Sequence, residues 1–249
     1  MPLSSPKKHG LVIGGTKGIG RALVRILLAQ DHYVSVIGRS VPKNLSNLST
    51  LSFWPVDLLN HKKLSKTLRD IIKRNGKLDN LSFFQRYRGE GESWSGEIET
   101  VLTATKYVID ELAGDLKKGS AITLVSSVNA GLISRHLSLG YHVAKSGLSQ
   151  IARYYAIKLG ANGIRVNSVS PGTVLKEESK EFLLKDKKLN DFYKKLSPLK
   201  RIGTAEEVAE VIAFLSSPKA SLITGQNIIV DGGVSLAWQE ALISKPHGK

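Results

Sequence analysis

Short apolar runs alternate with longer stretches of helical spacing along most of the chain. Gly10–Ile13, Tyr33–Ile37, Leu81–Phe84, Ala121–Val125, Ile164–Val169 and Asn227–Val230 read as buried strands. Arg21–Gln30, Leu64–Ile72, Ile98–Leu112, Ala144–Leu159 and Ala205–Leu215 carry apolar side chains three and four apart and read as helices. This alternation predicts a parallel sheet covered by helices on both faces, because parallel strands need crossover connections and are buried on both sides. No repeat or low-complexity linker interrupts the pattern, so 1–249 is expected to be one domain. The most irregular piece lies between the strand ending near Val169 and the helix starting near Thr204. Its charged part, 173–198, is expected to cover a ligand as a lid at the carboxyl end of a strand.

Composition narrows the chemistry. The 249 residues include no cysteine, which excludes disulfides, thiol catalysis and cysteine–zinc sites. No cluster of His, Asp and Glu has metal-ligand spacing, so no metal is expected. No apolar run approaches the roughly 20 residues that span a bilayer, and Met1 to Gly10 has no apolar core of a signal peptide, so no membrane partner is expected. The net charge of +15, from 36 Lys and Arg against 21 Asp and Glu, favours an anionic ligand or simply a solvated basic surface. The densest stretch, Lys176 to Arg201, holds nine basic and five acidic side chains. It mixes signs and shows no nucleic-acid motif with interleaved aromatics, so nucleic acid is not expected as a partner.

Two motifs carry chemistry. Gly14-Gly15-Thr16-Lys17-Gly18-Ile19-Gly20 follows the first strand and opens a helix. Glycines there permit a tight turn and close approach of backbone to a diphosphate, while the helix N-terminus supplies N–H donors. At the end of the second strand, Gly38-Arg39 stands where an NADH-preferring site would place an acid for the ribose hydroxyls. Arg39 and Lys17 can hold the additional 2′-phosphate of NADP(H), which an aspartate would repel. The second motif is Tyr141-His142-Val143-Ala144-Lys145. On a helix, Tyr141 and Lys145 share one face. The ammonium would favour the phenolate, so that Tyr141 could give or take a proton near neutrality. Upstream, the strand Ile122–Val125 ends in Ser126-Ser127, and a serine there can donate to a substrate oxygen. Ser127 is the preferred residue and Ser126 the alternative.

Together these residues resemble the short-chain dehydrogenase/reductase family, in particular members similar to 3-oxoacyl-carrier-protein reductases. Gly14, Gly18 and Gly20 match the family's spaced glycines, with Ile13 where threonine is usual. Val166 to Gly172, Arg201 to Val208 and Ile223 to Gly233 resemble its C-terminal third. The resemblance implies a Rossmann-type doubly wound parallel sheet of about seven strands. It implies catalysis by Ser127, Tyr141 and Lys145. It implies NADP(H) held by Gly14, Thr16, Lys17, Gly18, Ile19, Gly20, Arg39, Asp57, Leu58, Tyr141, Lys145, Pro171, Gly172 and Val174. Asp57 would bond the adenine, although it also reads as a cap for the helix beginning near Asn60. The implied activity is hydride transfer between a ketone and a secondary alcohol, in a cytoplasmic homotetramer or homodimer.

Several positions depart from the family. Its Asn-Asn-Ala-Gly after the fourth strand is replaced by Phe83-Phe84-Gln85-Arg86, which is expected to alter how backbone approaches the adenosine side. The segment from Tyr87 to Trp94 looks shortened. Glu97 stands where the family has a proton-relay asparagine, and it could hold water, pair with Lys145, or simply be an acid near a helix N-terminus. Lys176 replaces a threonine at the diphosphate, with Thr173 the nearest hydroxyl to substitute. Ser127 to Tyr141 is one residue longer than usual, suggesting an insertion near Asn129. His136 and His142 read as structural. Arg86, Arg88 and Arg135 could reach an anionic substrate. The substrate is therefore a small carbonyl or alcohol, either carried as a 3-oxoacyl thioester on an acidic carrier protein or an anionic sugar or sugar nucleotide. A dinucleotide-binding regulatory or scaffold protein without turnover is the alternative, motivated by the replaced asparagines.

Overall fold

A computed structural model describes residues 7–40, 48–90, 93–177 and 185–236. Seven parallel strands form one sheet in the order β3-β2-β1-β4-β5-β6-β9. They are β1 (His9–Ile13), β2 (Tyr33–Gly38), β3 (Leu51–Pro55), β4 (Leu78–Phe83), β5 (Leu116–Val125), β6 (Arg165–Pro171) and β9 (Asn227–Val230). A short pair, β7 (Val174–Leu175) with β8 (Gly203–Thr204), lies beside it and was not legible in the apolar pattern. The helices are α1 (Gly18–Ala29), α2 (His61–Asn75), α3 (Ser93–Glu97), α4 (Ala104–Leu112), α5 (Leu139–Gly160), α6 (Lys187–Leu196) and α7 (Ala205–Ser216).

The two-residue period of the strands sorts the core into two layers. Leu11 and Ile13 of β1 point to one face and pack with Leu64, Leu68 and Ile71 of α2, Val108 and Ile109 of α4, and Leu148 and Leu159 of α5. Val12, one step out of phase, points to the other face and packs with Leu23 and Leu27 of α1 and with Val208 and Ile212 of α7. The predicted doubly wound, two-faced sheet is what forms. Its strand order reverses beside β1, because β2 and β3 lie on one side and β4 to β6 on the other. Such a reversal opens a crevice at the carboxyl ends of the strands.

Several element ends differ from the apolar pattern. Ser138 accepts a hydrogen bond from the Tyr141 N–H, which starts α5 five residues before the predicted Ala144. Residues Ile98–Thr103, predicted as the start of a helix, form a π-helical turn between α3 and α4. Thr105 Oγ1 donates to the Val101 carbonyl within this region, and Gln85 Nε2 donates to Thr105 Oγ1. Asn60, not Asp57, caps α2, by accepting from the Lys63 N–H.

In place of Asn-Asn-Ala-Gly, the segment Phe83 to Arg86 runs along the crevice with its backbone against the glycine turn. Phe83 is fully buried in the layer under α2 and α4, and Phe84 packs against the opposite layer. Between them the strand end still closes on the glycine turn: a Cβ at Gly14 would lie 3.0 Å from the Gln85 nitrogen. The Phe83 ring is thus absorbed by one core, where full burial stabilises by about 2–3 kcal/mol, while Phe84 is partly buried against the other and also lines the crevice.

Of the charged stretch 173–198, residues 178–184 lie outside the described residues. Its beginning is tied down, because Glu177 Oε2 accepts from Arg21 at 3.0 Å and Arg25 at 3.3 Å on α1. Its end is fixed by Arg201, which binds both carboxylate oxygens of Glu207 at 2.8 and 2.6 Å. Glu207 also forms a capping box with Thr204 at the start of α7. Of the segment from Tyr87 to Trp94, residues 91–92 likewise lie outside the described residues.

Candidate active site

The crevice is a cleft of about 540 Å³ whose walls include every residue singled out for the cofactor and for catalysis, from Gly14 to Val174. Gly14 has φ +80° and Gly18 φ +52°, so the turn needs glycine at both positions. A Cβ at Gly20 would lie 2.6 Å from the Gly14 carbonyl oxygen. The turn therefore closes only with glycine at all three predicted positions. Lys17 caps α1 with backbone alone, and no acid occupies the helix's first turn. Gly38 brings the end of β2 against Thr16, where a Cβ would come within 2.9 Å of the threonine methyl.

Lys17, Arg39 and Ser40 line the cleft at this end, and neither cation has an ion-pair partner among the described residues. Asp57 lines the cleft with Leu58, its Oδ1 accepting from the Leu59 N–H at 3.0 Å. At the far wall, the Gly172 N–H donates to the Val230 carbonyl at 3.1 Å. Gly172 sits so close to Asp231 that a Cβ would reach its side chain at 2.8 Å. Asp231 in turn accepts from the Gly233 and Ser235 N–H groups. The C-terminal signature thereby fixes the Pro171-Gly172 turn at the cleft.

The catalytic candidates are assembled by β5 and α5. Lys145 Nζ donates to the Val125 carbonyl at 2.8 Å, and Ser126 Oγ donates to the Lys145 carbonyl at 2.6 Å. Both serines line the cleft, but the Ser126 hydroxyl is committed to α5, whereas the Ser127 hydroxyl accepts from the Asn129 N–H at 3.2 Å. Tyr141 is half-buried, one turn before Lys145, whose Nζ lies 5.8 Å from the phenol ring centre. His142 faces away, as its position beside Tyr141 predicts. Its Nε2 accepts from the Ser134 N–H at 3.0 Å and its Nδ1 faces the Ser138 carbonyl at 2.8 Å, so it pins the loop that leads into α5.

A second cavity of about 410 Å³ adjoins the first. Ser127, Tyr141, Gly172, Val174 and Lys176 line both. The remaining walls of the second are Val128, Asn129, Ser134 and Thr173. Thr173 thus lines this second cavity, whereas Lys176 lines both. Arg86 and Arg88 line the main cleft, but the exposed Arg135 lines neither. Arg86 was foreseen as a loop cation; its contact with Tyr141, 5.5 Å from guanidinium to ring centre, was not.

Glu97 is not an exposed acid at a helix start. It lies at the end of α3, immediately before the π turn, and is 5 % exposed. Its Oε2 has no hydrogen-bond partner, and no direct ion pair to Lys145 forms among the described residues. The two nevertheless feel each other. Burial pushes the Glu97 carboxyl above the usual carboxylate range, against the pull of Lys145 and Arg86. Burial likewise pushes the Lys145 ammonium down to about 8, opposed by Glu97 and reinforced by Arg86 and Lys176. For both groups the loss of solvent outweighs the attraction.

The residues match a sequence family described as enoyl-(acyl carrier protein) reductase over positions 14–235. The chain is 34% identical to a tropinone reductase homolog of Arabidopsis thaliana, covering 91% of this chain and 93% of that one. It is 30% identical to a 3-oxoacyl-[acyl-carrier-protein] reductase of Buchnera aphidicola, covering 92% and 97%. The crystal structure of a short chain dehydrogenase family protein from Francisella tularensis superposes with a TM-score of 0.79 at 28% identity, covering 93% of this chain and 100% of that one.

Because Glu97 raises the proton affinity of Lys145, the substitution Glu97→Gln should move the Lys145 midpoint below its value of about 8. NMR titration of the Lys145 side chain checks this, and an unchanged midpoint would show that the two groups are not coupled. With the glycine turn, the Ser–Tyr–Lys constellation and the seven-stranded sheet in one chain, and these relatives along its length, the protein belongs to the short-chain dehydrogenase/reductase family of oxidoreductases.

Proposed function

We propose that this oxidoreductase interconverts a ketone and a secondary alcohol using NADP(H), with Tyr141 as the general acid and base. One observation carries the reading: Ser127 and Tyr141 line both the long cleft and the polar cavity beside it. A group bound in one meets a group bound in the other at their hydroxyls.

The residues fit a phosphorylated dinucleotide. The glycine turn leaves no room for side chains where a diphosphate would lie, and the α1 N-terminus offers donors uncontested by any first-turn acid. Lys17 and Arg39 supply positive charge at the β2 end, where no carboxylate among the described residues pairs with them. Asp57 and Leu58 bound the adenine side, and Pro171, Gly172 and Val174 the opposite end. When bound, NADP(H) supplies or accepts the hydride.

The chain's own groups handle position and proton. Ser127 donates to the substrate oxygen and holds it beside Tyr141. Tyr141 gives its proton to that oxygen in reduction and removes it in oxidation. Lys145, held by the Val125 carbonyl, places a positive charge behind the phenol and favours the phenolate it leaves. Glu97, buried beside this lysine with an unpartnered oxygen, is the residue through which a proton can return to it.

The apolar side chains that α5 leaves exposed, Tyr154 and Ile157, the latter 86 % exposed, support assembly as a homodimer or homotetramer. Ile157→Asp should therefore lower the molar mass measured by light scattering, whereas an unchanged mass rules out this face. Tyr141→Phe should lower turnover of a reducible ketone by roughly a hundred-fold or more while NADPH still binds. Intact turnover would sink the mechanism. Arg39→Asp should weaken NADPH by about a hundred-fold and NADH far less, read by titrating each against protein fluorescence. Equal loss of both would overturn the assignment to the 2′-phosphate.

A further inference from the structure

Ser134, Val128 and Asn129 bring the loop between β5 and α5 into the wall of the second cavity. The near part of this loop is tied to α5, because Ser146 Oγ donates to the Ala130 carbonyl at 2.5 Å. Beyond it, Gly131 and Leu132 bond back to the Val128 carbonyl, and the Leu137 N–H bonds to the Ser134 carbonyl. From Gly131 to Leu137, only the Ser134 N–H is hydrogen-bonded outside the loop among the described residues. Its acceptor is His142 Nε2 on α5, at 3.0 Å. Leu132 and Ile133 are exposed, so apolar packing does little to hold this stretch. The Ser134 wall therefore hangs on one imidazole.

The two partners of that ring fix its protonation. The Ser138 carbonyl can only accept, so Nδ1, 2.8 Å away, carries a proton. The Ser134 N–H can only donate, so Nε2 is bare. A second proton on the ring would set N–H against N–H, and the bond to Ser134 would be lost. Imidazole is the side chain that ordinarily changes charge between about pH 5 and pH 8. The titratable and charged groups on the elements about this corner are Tyr141 and Lys145 of α5, Arg135 and His136 of the loop, Glu97 of α3, Arg86 after β4 and Lys176 across the cavity. Tyr141 meets the ring edge-on, 6.0 Å between centres, and none of these groups is hydrogen-bonded to it among the described residues.

We propose that His142 is a positioning residue for the substrate: its neutral ring clasps Ser134 to α5, and a second proton releases that wall of the cavity beside Tyr141. Substrate binding is thereby acid-sensitive at a residue that takes no part in the hydride or proton transfer. This rests on the reading of Ser127 and Tyr141 as the pair that meets the reacting oxygen, since that reading makes the second cavity the substrate's place. Cofactor binding is not affected, because Ser134 does not line the long cleft.

Nitrogen-15 NMR of the NADPH-saturated protein tests the clasp, from about pH 8 to about pH 5, through the coupling that an N–H···N hydrogen bond transmits between Ser134 and the ring. KM and kcat for cyclohexanone, ethyl acetoacetate and dihydroxyacetone are measured over the same range. The coupling should be present at the upper end and vanish as the ring gains its second proton. The KM of a reduced ketone should rise on acidification by about five-fold more than in His142→Gln, whose amide oxygen accepts from Ser134 but does not titrate. His142→Leu should show the raised KM at every pH, with kcat and NADPH affinity near those of the wild type. Thermal unfolding reports whether that variant folds; if it does not, wild type against His142→Gln decides. Absence of the coupling at the upper end, its survival on the doubly protonated ring, or an equal rise of KM in the wild type and His142→Gln would each overturn the inference. If no ketone is reduced, the hydride-transfer reading fails and the substrate role of His142 falls with it, whatever the NMR shows of the clasp.

Discussion

Two hydrogen bonds at a single residue of α5 hold the candidate catalytic residues in register. The ammonium of Lys145 reaches across to the last carbonyl of β5, and the hydroxyl of the next residue in the strand's path, Ser126, reaches back to the Lys145 carbonyl. The strand and the helix are thereby fixed against each other both by a side chain running outward and by one running back. Ser127, immediately beyond Ser126, and Tyr141, one turn before Lys145, inherit their positions from this pair. The cost is a buried ammonium whose charge is disfavoured, and the structure offsets that cost with a carbonyl oxygen and a nearby carboxyl rather than a direct ion pair.

The rest of the site is arranged around that fixed pair. The strand-order reversal beside β1 opens the cleft, the glycine turn lets α1 approach its floor, and Asp231 braces the Pro171-Gly172 turn at the opposite wall. Ion pairs from Arg21 and Arg25 to Glu177 lead the chain out over the glycine turn. Such exposed pairs contribute little to stability, about 0–1 kcal/mol. Their consequence is positional, since the neighbouring Lys176 faces both cavities.

The departures from the family pattern divide into two kinds. Phe83 and Phe84 replace small residues, and alternation along the strand buries the first in one core and sets the second, partly buried, against the other core at the wall of the cleft. Arg86 and Glu97 do reach the site. One brings a cation against the Tyr141 ring, and the other brings a carboxyl with an unpartnered oxygen near Lys145. Substitutions absorbed by the core preserve the scaffold, while those at the cleft change the electrostatics in which the reaction runs.

By itself the sequence determined the parallel sheet with two helical layers, because periods of two and of three to four residues dictate which side chains can be buried together. It also determined the glycine turn, since positive φ and close backbone approach exclude other residues, and the shared face of Tyr141 and Lys145, since that follows from helical geometry. What only the tertiary structure decided are contacts between segments distant in the chain. The bond that ties the Ser126 hydroxyl to a residue of α5 is one of them. The burial of Glu97 depends on packing at a π turn that no local periodicity announces, and the placing of Arg86 on Tyr141 depends on where a loop of irregular backbone comes to rest. Charges and hydroxyls are legible in a sequence as residue types, but which of them lose water, and what they meet when they do, is set by the chain elements that close over them.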